Sequence, residues 1–203
     1  MPLHLWLSLV TICILGAVSP GPSLAVVMRN TLAGGRINGF ITAMSHGLGI
    51  VLWALLTATG IGLLIISNPA LFEGIRIVGA GVLLFLGGRC LLARSETVEK
   101  AGIDLEEAKT TSPFRDGFLI SITNPKIAIF FLALFSQFVR FDAGWIEKLV
   151  MAVTAGVVDT LWYVMVALVL SHSAILPRLR RYSKHLERIF GIVLVILAIR
   201  VVM

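Results

Sequence analysis

From Gly117 to Val139 the chain runs 23 residues with a single charged side chain, Lys126, and a proline immediately before it. A run of that length crosses a hydrocarbon core of about 30 Å as a helix. Inside hydrocarbon a segment must close its own backbone hydrogen bonds, which confines such a run to helix or closed barrel. An ionisable group at that depth costs several kcal/mol unless something compensates it, which makes Lys126 a candidate functional residue. Pro125 frees backbone polar groups beside it, and these are tolerated at depth only within protein or along a wet cavity. Both features point to a path through a membrane protein.

The rest of the chain agrees. It is 58% hydrophobic and 14% charged over 203 residues, with a mean hydropathy of +0.97, whereas soluble domains carry about 25% charged residues. The net charge of +6 does not signal nucleic acid, because the basic residues fall in short segments between apolar runs without interleaved aromatics; there they read as membrane-orienting charges. Cys13 and Cys90 lie in separate apolar segments with no C-x-x-C or ligand spacing, so neither a disulfide framework nor a metal site is expected. The amino-terminal apolar run has no preceding Lys or Arg, and Pro20 follows Ala17-Val18-Ser19, so it reads as a retained span and not a cleaved leader.

Six segments are long enough, or nearly so, to cross: Leu5–Met28, Gly39–Ile66, Ala70–Leu92, Phe114–Val139, Trp145–Leu170 and Lys184–Met203. The last has only 11 uncharged residues between Arg188 and Arg200 and depends on both snorkelling to opposite interfaces. Of the 17 Lys and Arg, 12 lie in the first, third and fifth connections and 3 in the second and fourth. The positive-inside rule then places odd connections in the cytoplasm and both termini in the periplasm, with Trp6 and Trp145 at the outer interface. The fold class expected is all-α integral membrane, a single transport domain over residues 1–203. Repeat 1 covers about residues 1–93, a solvated cytoplasmic linker about 94–113, and repeat 2 about 114–203.

The division into repeats rests on correspondences in order. Ser19-Pro20-Gly21-Pro22 matches Thr123-Asn124-Pro125-Lys126, with the prolines 105 apart; Gly47 through Trp53 matches Gly156 through Trp162 at 109; Arg76-Ile77-Val78-Gly79 matches Arg188-Ile189-Phe190-Gly191 at 112. Three spans per unit make the second unit enter from the opposite side, giving inverted repeats with a site at the midplane where broken helices meet. Spans 1 and 4 are expected to break at their proline motifs.

Candidate substrate-binding residues are therefore Ser19, Pro20, Gly21, Pro22, Asn124, Pro125, Lys126 and Asp159. The break at Ser19-Pro20-Gly21-Pro22 exposes carbonyls and a half-helix start suited to a carboxylate, or else is a packed kink. Lys126 lies about 13 residues into span four, about 20 Å from its start, and Asp159 is at similar depth in span five. These two are either a buried ion pair joining the spans, or a carboxylate-binding cation and an ammonium- or proton-binding anion, or both in turn. His46 and Asp159 are each proton-coupling candidates, His46 because an unperturbed histidine titrates near neutrality; the alternative for His46 is a hydrogen-bonded packing residue. Gly39-x-x-x-Ala43-x-x-x-Gly47 is a small-residue stripe for helix packing. Gln137 and Arg140 are candidates for an exit.

These motifs, with Gly34-Gly35-Arg36 and Gly39 after the first span, give a chain that resembles the lysine exporter (LysE/RhtB) family of bacterial amino-acid efflux proteins over essentially its full length. The resemblance implies an inner-membrane exporter of amino acids or close derivatives, driven by an ion gradient and needing no cofactor. It carries over onto Pro20, Gly21, Pro22, Asn124, Pro125 and Lys126 as motif positions. The family pattern often has a Pro-Gln near the outer end of the fourth span; here the pair is Ser136-Gln137. The partners expected are the substrate amino acid and the lipid bilayer, with no nucleic acid and with a homo-oligomer left open.

Other classes fit less well. No G-x-x-x-x-G-K-[ST] stretch occurs, which disfavours an ATP-driven subunit. Intramembrane His, Asp or Glu clusters for metal export, and paired cysteines for electron relay, are absent from the sequence. An intramembrane enzyme with Lys126 and either Ser121 or Ser19 as base and nucleophile is the alternative from a different class, but the prolines suit translocation better. No enzymatic activity and no metal are expected.

Overall fold

Proline at the first helical position gives up an N–H that would be unpaired there anyway, and a Ser or Asn just before it can cap the next free donor. That local chemistry punctuates the whole chain. A computed structural model describes residues 1–19, 21–92, 112–134, 138 and 143–170, together with 188–189, 191–192, 194–196 and 198–199. Among these the protein is all helix. The helices are α1 (Leu3–Val18), α2 (Pro22–Ser67), α3 (Pro69–Leu92), α4 (Pro113–Thr123), α5 (Pro125–Ile129), which runs into a π-helical turn over Phe130–Leu134, and α6 (Trp145–Leu170). Four of these begin with proline. Asn68 Oδ1 accepts from Leu71 N at 3.0 Å, Ser112 Oγ from Arg115 N at 3.4 Å and Asn124 Oδ1 from Lys126 N at 3.0 Å.

Although α2 is continuous by hydrogen bonding, it is not straight. Gly34 (φ −128°, ψ 15°) and Gly35 (φ 74°, ψ −175°) leave helical geometry, and the positive φ at Gly35 is one that a Cβ disfavours. Beyond them the chain folds back. Asn30 Nδ2 donates to Thr42 Oγ1 at 3.0 Å, whereas twelve residues of unbroken helix would separate them by about 18 Å. So α2 is a hairpin with legs 22–33 and 36–67, and the sequence segments Leu5–Met28 and Gly39–Ile66 are joined by this tight turn.

Neighbour relations give each helix its direction. The 36–67 leg runs antiparallel to α6: Gly39 faces Ala167, Gly47 faces Thr160, and Gly156 faces Val51. At the crossing, a Cβ on Gly47 would lie 3.1 Å from the Gly156 carbonyl oxygen, and one on Gly156 would lie 3.1 Å from that of Gly47. The two backbones approach closely here, and the side chains of Thr160 and Val51 take the space that a Cβ on either glycine would need. The 22–33 leg runs antiparallel to α4, with Arg29 against Asp116 and Ser23 against Asn124. Parallel to α6 lies α1, tied by Trp6 Nε1 donating to Thr154 Oγ1 at 3.1 Å. Against α3, Gly87 approaches the Gly191 carbonyl, and Leu83 packs with Ile12, Leu194 and Ala198.

The polarity of the helices is inverted relative to a water-soluble bundle. On the 36–67 leg, Leu48, Leu52 and Leu56 form an exposed stripe while Ser45 and His46 are buried, so the leg turns hydrocarbon outward and polar groups inward. By length and composition Trp145–Leu170 is long and apolar enough to cross a membrane, as is Pro22–Gly60, which contains the turn at Gly34–Gly35, and Leu3–Val18 is a shorter apolar helix. Most of the linker at 94–113, Gln137, Arg140 and much of Lys184–Met203 lie outside the described residues.

Candidate functional site

Where α1 stops, the last helical carbonyls lose their intrahelical donors. Ser19 is extended (φ −64°, ψ 121°), and Lys126, from α5, supplies the donor: its Nζ reaches Ser19 O at 3.0 Å and Ser19 Oγ at 2.6 Å. A Cβ on Gly21 would lie 3.4 Å from Nζ and 3.5 Å from Cδ of this lysine, so the missing side chain leaves room for Lys126 to lie across the break. The second interruption, at Asn124 (φ −73°, ψ 112°), separates α4 from α5. Asn124 caps α5 with its Oδ1 and donates through Nδ2 to Ser23 Oγ at 2.9 Å. Residues from the two proline motifs thus bond to each other across more than a hundred positions.

Opposite them is a second buried pair. His46, 1% exposed, approaches Asp159 Oδ2 through Nδ1 at 2.6 Å. The Tyr163 ring stands edge-on to His46 at 4.9 Å between centroids. The His46–Asp159 pair joins the 36–67 leg to α6, as the Asn124–Ser23 bond joins the 22–33 leg to the start of α5. His46 Nε2 is buried and has no hydrogen-bond partner among the described residues. A buried polar atom without a partner is costly unless something else meets it.

Both ends of this arrangement line one cavity of about 60 Å³, with Ser19, Gly21, His46, Asn124, Lys126 and Asp159 in its wall. A cation thus stands at one side and a carboxylate–imidazole pair at the other. Of the residues expected from sequence, Pro22 and Pro125 open helices α2 and α5, and Pro20 lies outside the described residues. Lys126 Nζ donates to Ser19, and Asp159 Oδ2 pairs with His46 Nδ1.

Several participants were not singled out from sequence. Ser23 directly follows the Ser-Pro-Gly-Pro motif, and Tyr163 is four residues after Asp159, hence on the same helical face; both signals were readable. A further cluster sits about 12 Å along α4 from Asn124. There Arg29 donates to Asp116 Oδ2 at 2.6 Å, and Asn30, fully buried, donates to the same oxygen at 3.2 Å. Only spatial proximity across 87 positions connects Arg29 with Asp116.

The sequence model described as "LysE type translocator" matches residues 14–203. An uncharacterized membrane protein of Pseudomonas aeruginosa is 32% identical over 150 residues, covering 70% of this chain and 68% of the relative. A membrane protein of Escherichia coli, YahN, is 25% identical over 205 residues, covering 99% of this chain and 90% of its own. A leucine efflux protein of Salmonella choleraesuis is 30% identical over 128 residues, covering 61% of this chain and 58% of the relative. No solved structure matches.

Proposed function

Because this chain belongs to the LysE type translocator family, a family of membrane transporters and not enzymes, we propose that it is a proton-coupled secondary exporter of amino acids or close derivatives across the bacterial inner membrane. A relative named for leucine efflux supports amino acids as the substrate class. The substrate binds near the midplane, its carboxylate toward Lys126 and the Ser19 break, its ammonium toward Asp159. His46 holds Asp159 and shares the coupling proton with it. Pro20, Gly21, Pro22, Asn124 and Pro125 act by keeping both spans interrupted at this level.

The observation that carries this reading is the meeting of Lys126, Ser19, His46 and Asp159 in the wall of one cavity. It is supported by the way the two halves face each other. Gly47 and Gly156, which correspond between the repeats, approach reciprocally, and the helices that correspond run antiparallel, as oppositely inserted units would. Six spans in two inverted three-helix repeats, with odd connections cytoplasmic and both termini periplasmic, complete the arrangement.

The test is uptake of radiolabelled amino acids into inverted membrane vesicles energised by a proton gradient. Accumulation that needs the gradient and is lost in Lys126→Ala, with that variant still in the membrane at normal level, is the expected outcome. Gradient-driven accumulation unaffected by Lys126→Ala refutes the role of Lys126.

A further inference from the structure

A proline has no N–H to offer the carbonyl four residues earlier, so each proline break leaves one carbonyl of the preceding helix without its usual donor. Pro125 does this to Ser121 and Pro20 does it to Gly16, and these two carbonyls correspond between the repeats at the same spacing of 105. The first has found another donor: Trp53 Nε1 donates to Ser121 O at 3.1 Å. Trp162 corresponds to Trp53, 109 positions on, and its Nε1 is buried with no hydrogen-bond partner among the described residues. A buried indole N–H usually has one, and leaving it unmet is costly.

The helices around the two indoles differ in the same sense. Against the 36–67 leg, α4 is fully seated: a Cβ on Gly117 would overlap Thr42 and Ser45, and one on Gly49 would overlap Ser121. The corresponding pair is α1 and α6. There the notch is Gly16, and the atoms nearest a Cβ added to it belong to the Phe130 ring, the first at 2.8 Å, and not to α6. Trp162 packs against the cluster that holds Leu24 and Val27. Between the starts of α1 and α6, beside Trp6, Glu147 and Val150, lies a cavity of about 610 Å³. One half of the molecule is therefore closed where its counterpart is ajar.

We propose that Trp53 and Trp162 are alternating latches. In the present state Trp53 holds α4 on the 36–67 leg through the Ser121 carbonyl. In the opposite state that bond is released, and Trp162 holds α1 on α6 through the Gly16 carbonyl. The proposal rests on the inverted-repeat export reading above. Alternating access moves one repeat against the other around a fixed site, and two equivalent repeats of different shape can exchange shapes, closing one side as the other opens. Each state then has one indole bond. That keeps the two states close in energy, as a transporter that must visit both requires.

The experiment uses the full chain in membrane vesicles, with Ser23→Cys as the probe and Cys13→Ala and Cys90→Ala as the parent background, labelled from the cytoplasmic face by a membrane-impermeant maleimide. Trp→Phe keeps an aromatic ring and removes the N–H. Trp53→Phe is expected to raise the labelling rate about two- to tenfold, the effect of one neutral hydrogen bond on a two-state equilibrium. Trp162→Phe is expected to lower it. The double variant should return to within about twofold of the parent, because each state has then lost one bond. Trp53→Leu and Trp162→Leu, with the same signs expected, serve if the phenylalanine variants do not elute as folded species. Labelling unchanged by Trp53→Phe, raised by both single changes, or as high in the double variant as in Trp53→Phe alone overturns the proposal. Accumulation of amino acids by the wild-type chain in inverted vesicles is read separately. Opposite signs without accumulation overturn the export reading and leave the latches; accumulation with equal signs overturns the latches alone.

Discussion

Removing the carboxylate of Asp116 should open the path on the side where Arg29 and α4 meet. On the proposed orientation this is the cytoplasmic side, and the cluster lies beyond the Ser23–Asn124 bond as seen from the cavity. Asp116 Oδ2 accepts from Arg29 at 2.6 Å and from Asn30 at 3.2 Å, joining the 22–33 leg to α4. A hydrogen bond to a charged group contributes about 1.5–3 kcal/mol against about 0.5–1.5 for a neutral one. The Arg29 side chain is 34% exposed, which keeps its share at the low end of that range. Asp116→Asn, which keeps an acceptor, should then cost about 1 kcal/mol, and Asp116→Ala about 2 kcal/mol. Asn30 keeps its bond to Thr42 in both. If the cluster holds a closed state, these losses shift the closed–open equilibrium by about fivefold and about thirtyfold. The assay is labelling of Ser23→Cys by a membrane-impermeant maleimide applied from the cytoplasmic face, in a background carrying Cys13→Ala and Cys90→Ala. Labelling should rise in that order, and Arg29→Gln combined with Asp116→Asn should be non-additive. Unchanged labelling in a folded Asp116→Ala protein, or strict additivity of the pair, refutes the reasoning.

Two further outcomes are expected. Gly156→Ala places a methyl group in overlap with Val51 and 3.1 Å from the Gly47 carbonyl oxygen; overpacking of this kind costs about 1–3 kcal/mol. The variant should melt at lower temperature in detergent, with partial recovery when Val51→Ala is added, and recovery failing there would show that the crossing is not limited by Val51. Asp159→Asn should leave the protein folded but uncouple transport from pH, read from initial rates in vesicles as pH is varied. A profile unchanged from wild type would rule out Asp159 as the coupling site.

Helix starts were readable because their causes are local. Pro69, Pro113 and Pro125 each follow a Ser or Asn that caps the helix they begin, and nothing distant is needed for that chemistry. The close crossings marked by Gly39 and Gly47 were visible as small residues at helical spacing. Gly81 and Gly88, which carry the same mark, have nothing within 4 Å of an added Cβ among the described residues: spacing announces a packable face without saying that a neighbour occupies it. Gly35 carried a different signal, since its positive φ turns one helix back on itself and brings Asn30 to Thr42.

Hydropathy alone pointed to a helical membrane protein, and to a shared depth for Lys126 and Asp159 as an expectation, because the exclusion of water acts on runs of adjacent residues. It did not determine which groups meet at that depth. Lys126 on Ser19, Asn124 on Ser23, His46 on Asp159 and Arg29 on Asp116 were decided by tertiary structure. A residue's height in the bilayer follows from its place in a run, but its direction around the helix axis has meaning only once neighbouring helices are packed against it.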